Sequence, residues 1–102
     1  MKICSWLISL LSLHLVVSEV KAQVEIDSQR CNSRPLAEIM KSSMSSELLK
    51  SVNVIEQKAK NKIGGYFGCV CSMNEIAAAV TPVDIFCQAY LGDVVCFAYK
   101  LG

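Results

Sequence analysis

Cysteine supplies the most reactive side chains of this 102-residue chain. Cys4 lies in an apolar leader, and Cys31, Cys69, Cys71, Cys87 and Cys96 follow it. Two chemistries suit such a set. Thiolates hold zinc where four ligands converge tetrahedrally, and the thiols of a short exported chain oxidise to disulfides. Disulfides are the expectation here, because the leader directs the chain to an oxidising compartment and no histidine downstream of it can complete a mixed metal site. Five is an odd number, so at least one sulfur stays free or pairs outside the chain. The choice of odd cysteine and of pairing leaves fifteen two-bridge schemes open. Cys69 and Cys71, with only Val70 between them, are too close to favour a mutual bridge, so each is expected to reach elsewhere. The odd sulfur is expected either as a buried thiol packing like a small hydrophobe or as the link of a homodimer or heterodimer.

Other chemistries find little support. Histidine is the usual general base near neutral pH, and the one histidine, His14, sits in the leader. Its loss there excludes Ser-His-Asp and Cys-His catalysis. Glu75, Asp84 and Asp93 remain as carboxylates, but two of them stand at expected helix starts, where capping accounts for them. The segment Ile63-Gly64-Gly65-Tyr66-Phe67-Gly68 lacks the Lys-Ser/Thr ending of a phosphate loop. It reads as a connection in which Tyr66 and Phe67 either stand out as contact residues or fold back over the core. Met40, Met44 and Met73 could line an adaptable apolar groove, although Met40 and Met44 at helical spacing fit a plain core as well. No enzyme, cofactor or metal site is expected.

The leader itself has three parts. Met1-Lys2 is positive, Ile3 to Val17 is a fifteen-residue, largely apolar stretch without charge, and Ser18 to Ala22 is polar with a Val20-Lys21-Ala22 ending. That is the layout of a secretory signal peptide, and the stretch is shorter than the roughly 20 apolar residues a spanning helix needs. Cleavage is expected between Ala22 and Gln23, with a cut after Ser18 as the alternative. The expected product is a secreted extracellular domain, 23–102, of 80 residues and zero formal charge. Residues 23–62 carry a net charge of +2 and residues 63–102 a net charge of −2. Neither half is a basic stripe suited to nucleic acid, and a neutral chain has no strong attraction to anionic lipid. The terminal Gly102 can be read as an amidation donor or as a chance glycine.

These residues must be positioned by a small core. Leu36, Met40, Met44, Leu48, Val52, Ile55, Ala59 and Ile63 recur at spacings of four and three, which places them on one helix face. Pro35 suits the first turn behind Asn32 or Ser33 as cap. The serines of 42–46 can divide this stretch, so helices over 35–42 and 46–62 compete with one long helix. Lys58, Lys60 and Lys62 followed by Gly64-Gly65 mark its end. Ser72-Met73-Asn74-Glu75 reads as a capping box opening a helix through Val80. Thr81-Pro82-Val83-Asp84 reads as the start of another, which would bury Val83, Phe86, Cys87, Tyr90 and Leu91 and stop at Gly92. Residues 93–101 are ambiguous. Val94-Val95-Cys96-Phe97 favours a strand, but a single strand lacks a partner, so a helix capped by Asp93 is taken. The expected fold is therefore all-α: one disulfide-stapled domain of three to four short helices.

Function follows in outline only. The first expectation is a secreted polypeptide that binds an extracellular protein target or receptor, as a toxin, effector or cytokine-like signal. The alternative is a disulfide-linked dimer carrying an apolar small molecule. In outline that molecule is similar to the secretoglobins, although no residue motif carries their sites and Cys69-Val70-Cys71 departs from their pattern. A third expectation is a membrane-active peptide built on the amphipathic 36–63 stretch, which the neutral charge argues against.

Overall fold

The computed structural model describes residues 23–76 and 84–101. The amphipathic stretch forms two helices, α1 (Arg34–Ser43) and α2 (Leu48–Lys62). Ser33 caps α1, its hydroxyl accepting from the Leu36 amide at 3.2 Å, and Pro35 occupies the first turn. The serine cluster does divide the helices. Met44 is extended, and the fully buried Ser51 hydroxyl both accepts from the Ser45 amide at 2.9 Å and lies 3.2 Å from the Ser45 carbonyl. The turn is thus pinned by a side chain of α2. At the far end of α2, Gly64 takes φ +96°, a left-handed conformation that glycine adopts without a Cβ clash.

The remaining elements are strands: β1 (Glu25–Cys31), β2 (Phe67–Met73), β3 (Phe86–Leu91) and β4 (Val94–Lys100). They form one antiparallel sheet in the order β1-β3-β4-β2. The all-α expectation is therefore overturned; the fold is α+β. Ser72 and Met73, expected to open a helix, end β2, and the Ser72 hydroxyl bonds the Glu75 carbonyl at 2.7 Å instead of capping an amide. The expected helix down to Gly92 is β3, and the segment 93–101 is β4. The polar stretch 23–34, which shows no periodicity in the sequence, contains β1, whose pairing with β3 is irregular between Ile26 and Cys31. The leader (1–22), residues 77–83 and Gly102 lie outside the described residues, and with them the Ala22 side of the expected cut.

Both helices cover one face of the sheet. Leu36, Ile39, Met40 and Met44 of α1 with its cap, and Ile55 and Ala59 of α2, share a core with Phe67, Cys69, Cys87, Ala89, Val94, Cys96 and Ala98. Alternation along the strands puts Phe86, Gln88, Tyr90, Val95, Phe97 and Tyr99 on the opposite face. Val95, Phe97 and Gln88 are buried there too. The two central strands are thus apolar on both sides, and this removes the polar–apolar alternation that marks a half-exposed strand.

Candidate functional site

The sulfurs lie in the helix-facing layer of the sheet. Cys31 and Cys87 are register partners across β1 and β3 and are joined in a disulfide. Cys71 and Cys96 are register partners across β2 and β4 and form the second. The odd cysteine is Cys69, buried and free. Period-2 geometry places Cys69 and Cys71 on the same side of β2, so their Sγ atoms stand 3.8 Å apart without a bond. Cys69, Cys71 and Cys96 have sulfurs within 4.8 Å of one another. Burial pushes the Cys69 thiol up to about 12, and the nearby Glu56 carboxylate adds to the shift. As a disulfide, Cys71 and Cys96 offer no thiolate to a metal.

The same corner holds an open sheet edge. The Cys69 amide donates to the Glu56 carboxylate at 3.0 Å, so it points away from β4. In an antiparallel pair the backbone groups alternate in direction. The Cys69 carbonyl and the Cys71 amide and carbonyl therefore also face outward, along the edge of the last strand in the sheet. Tyr66, just before β2, is 64% exposed, and the Lys60 ammonium lies 5.1 Å from its ring centre. Asn53, Glu56, Gln57, Lys60, Tyr66 and Phe67 line a cleft of about 260 Å³ between α2 and this edge. Val70 and Met73 are exposed on β2. Phe67, read with Tyr66 either as a contact residue or as folded back over the core, is 6% exposed and belongs to the core. The open edge is the feature that sequence reading missed, because 67–73 was divided between a glycine loop and a capping box.

The opposite face of the sheet carries an aromatic ladder. Phe86 and Phe97 have ring centres 6.3 Å apart, and Phe97 stacks on Tyr99 at 5.7 Å. Tyr99 lies across Gly68, where a Cβ would come within 2.8 Å of its ring, so only glycine leaves the ring room in this position. A polar chain runs beside the ladder: the Gln88 amide donates to the Tyr90 hydroxyl at 2.7 Å, which donates to Asp27 at 3.2 Å. The buried Gln88 carbonyl oxygen has no partner among the described residues.

The remaining expected sites are not assembled. Glu75, Asp84 and Asp93 stand in loops and turns, and the helix expected through Val80 lies mostly outside the described residues. Met40 and Met44 are core, while Met73 is exposed on β2, so the three methionines share no groove. A cleft of about 1060 Å³ lies between the start of β1, the end of α1 and the β3–β4 turn. Gln23, Lys41, Ser45 and Ser46 contribute to its walls along with Val24, Met44, Leu91 and Val94, so the lining mixes polar and apolar side chains. The apolar stripe of α1 and α2 is turned into the core. Among the described residues no helix is long and apolar enough to cross a membrane.

Solved structures share this architecture. The dynein light chain-like domain of a Fasciola hepatica calcium-binding protein superposes in two structures, a mercury derivative and a native one. The matches have TM-scores of 0.60 and 0.62 at 17% and 16% identity. They cover 81% and 79% of this chain and 96% and 93% of those chains. The DLC-like domain of CsTAL3 matches with a TM-score of 0.57 at 15% identity, over 76% of this chain and 90% of its own. At such identities the likeness is one of fold. No curated protein sequence matches the chain. The Ground-like domain model matches residues 28–99, from within β1 to within β4, and so takes in all five cysteines downstream of the leader. Two disulfides in so small a domain fit an extracellular protein, and by the extent of that match the chain belongs to the Ground-like domain family.

Proposed function

We propose that this chain is exported with removal of residues 1–22 and acts as a binding domain. It docks an extended segment of an extracellular protein along the open edge of β2. The observation that carries this reading is the outward carbonyl of Cys69 and the outward amide and carbonyl of Cys71, beside exposed Tyr66, Val70 and Met73, with the Cys69 amide itself held by Glu56. An unpaired edge is a template for a further strand. Strand addition draws affinity from main-chain hydrogen bonds and specificity from side chains at alternate positions. The cleft between α2 and the edge supplies those side chains: Lys60 and Glu56 for charge, Tyr66 as an aromatic anchor. The edge and the cleft together offer a place for a peptide.

The test is selection of peptides from a displayed random library on the oxidised domain. Amide shift mapping of a selected peptide should centre on Cys69 to Met73, and Tyr66→Ala should weaken it about tenfold, in line with loss of an aromatic anchor. Shifts centred on Phe86, Phe97 and Tyr99 instead would move the binding surface to the other face of the sheet and end this reading. Terminal sequencing of the secreted protein should begin at Gln23.

A further inference from the structure

Along β2 the outward backbone groups are of two kinds, taken and open. The Asn74 amide bonds the Asp93 carbonyl at 2.6 Å, and the Leu101 amide bonds the Tyr66 carbonyl at 2.7 Å. Even-numbered residues of this strand therefore turn their backbone groups toward β4, and odd-numbered ones turn theirs out. Two outward groups have partners. The Cys69 amide donates to the Glu56 carboxylate at 3.0 Å, and the Met73 carbonyl accepts from the Glu75 amide at 2.9 Å. Between them stand the Cys69 carbonyl, the amide and carbonyl of Cys71, and the Met73 amide. An antiparallel segment would exchange both bonds with Cys69, and so would drive a carbonyl at the place the Glu56 carboxylate holds. A parallel segment bonds differently. One of its residues donates to the Cys69 carbonyl and accepts from the Cys71 amide. The residue two further on donates to the Cys71 carbonyl and accepts from the Met73 amide. These four bonds use each open group once and neither of the taken ones.

We propose that the edge of β2 captures the free amino terminus of another extracellular protein, laid parallel to β2 with its α-ammonium on Glu56, an inference that rests on the edge-docking reading above. Stereochemistry fixes where the segment starts. Extended backwards, a parallel segment would aim its next carbonyl at the Cys69 amide, where Glu56 already sits. A segment that begins one residue before the first bonded one meets no such conflict. Its first nitrogen is the atom that would otherwise be joined to the carbon of that carbonyl. As a free ammonium, this nitrogen lies next to the carboxylate oxygen that has taken the carbonyl's place. The first residue thus supplies the charge, the second bonds Cys69 and Cys71, and the fourth bonds Cys71 and Met73. Backbone bonds with capture of a terminal amine are a recurring mode of peptide recognition.

Charge complementarity supports an ammonium at this point. Glu56 is half-buried and has no ion-pair partner among the described residues, where the pairs are Lys41–Glu38 and Lys50–Glu47. Lys60, one turn further along α2, has its ammonium 5.1 Å from the centre of the Tyr66 ring and makes no ion pair with Glu56. A carboxylate partly withdrawn from water attracts a cation more strongly than one in open solvent. Side-chain preference follows from the pairing. The second and fourth residues flank Val70 and Ser72 and turn their side chains to the same face of the sheet as these. Val70 is 46% exposed, so an apolar second residue gains burial against it. Removal of a leader on export gives a secreted chain a new amino terminus of this kind.

The experiment uses native oxidised protein and a pool of synthetic peptides of about six residues, with a free amino terminus, leucine in second place and mixed residues elsewhere. Amide shifts give the site and the affinity. The expected result is shifts centred on Cys69 to Met73. Acetylating the pool should weaken binding about tenfold, because it removes the charge and keeps the backbone donors. Glu56→Gln, which keeps an acceptor for the Cys69 amide, should bind free and acetylated pools alike. A nitroxide at the carboxyl end of the peptides should broaden the Met73 amide and spare Phe67. Acetylated peptides that bind the same amides as tightly as free ones would overturn the inference and leave edge docking standing. So would broadening centred on Phe67, which would make the segment antiparallel. No shift along the edge with either pool would remove edge docking and the inference together. Concentration-dependent shifts of these amides in the domain alone, lost in Glu56→Gln, would give the site to the amino terminus of a second copy and overturn capture of a foreign chain.

Discussion

Cys69 shows how one side chain can tie packing to the pH dependence of stability. As a neutral thiol it fills the layer between β2 and α2 at 8% exposure. As a thiolate it would be a charge without water, beside the Glu56 carboxylate. Its pKa therefore rises from an ordinary 9.0 to about 12 on folding. The sign follows from proton counting. Below about pH 9 both folded and unfolded chains keep this proton, and its contribution is fully present. Between about 9 and about 12 the unfolded chain releases the proton while the folded chain holds it, so stability falls as pH rises. The slope from this one group approaches ~1.4 kcal/mol per pH unit. Denaturant titrations across that window should show a wild-type slope that exceeds the slope of Cys69→Ala by about this amount, because the lysines and tyrosines are common to both. Parallel slopes would mean that the thiol is solvated in the folded protein.

At the scale of elements, the helices and strands were legible to different degrees for a physical reason. The helices α1 and α2 lie on the sheet with one face buried, so their apolar stripe keeps its period. Strands β3 and β4 are buried on both faces, and their residues carry no such stripe. Phe86, Cys87, Tyr90 and Leu91 fall at helical spacing only because two opposite faces are both apolar. The composition of Val94 to Phe97 did indicate a strand, but its partners were concealed. β1 hides in the polar stretch 23–34 because most of it is exposed at the sheet edge, and β2 runs through a segment that resembles a glycine loop and a cap. The sulfur triangle was illegible for the same reason, since it depends on the register of β2 against β4. One local signal was available: Gly92-Asp93 between two apolar runs, which is a two-residue hairpin loop. Gly92 takes φ +57° there, and a Cβ would meet nothing within 4 Å. Any cost of substitution is then conformational, not steric. Gly92→Ala should lose about 1 kcal/mol, and Gly92→Asn should lose less, because Asn tolerates the left-handed region better. Equal losses in denaturant unfolding would point to an unseen contact at the turn.

The whole molecule is held by two bridges placed on opposite sides of the sheet centre. One ties the outer strand β1 to β3, and the other ties the outer strand β2 to β4. Each outer strand is thus stitched to a central strand at a register pair, and the two central strands are joined by the short hairpin. Closing loops with sequence separations of 56 and 25 residues removes unfolded-chain entropy worth ~4 and ~3.5 kcal/mol. A domain of about 80 residues has a total stability of roughly 4–12 kcal/mol, so the two bridges together rival all of it. Reduction of both by excess dithiol should therefore abolish cooperative thermal unfolding at neutral pH. The single deletions should differ in kind. β1 pairs irregularly, is largely exposed and adds little to the core beyond Ile26 and Cys31. Removing Cys31 and Cys87 together should leave a folded α1–α2–β2–β4–β3 body in which amides of Glu25 to Cys31 exchange fast. Removing Cys71 and Cys96 frees β2, which bears Phe67 and most of the packing under α2, so protection should fall across α2 and β2 together. Hydrogen exchange on the two double variants separates these outcomes. Uniform loss of protection in both would mean that the sheet opens as one unit and that neither outer strand is an independent element.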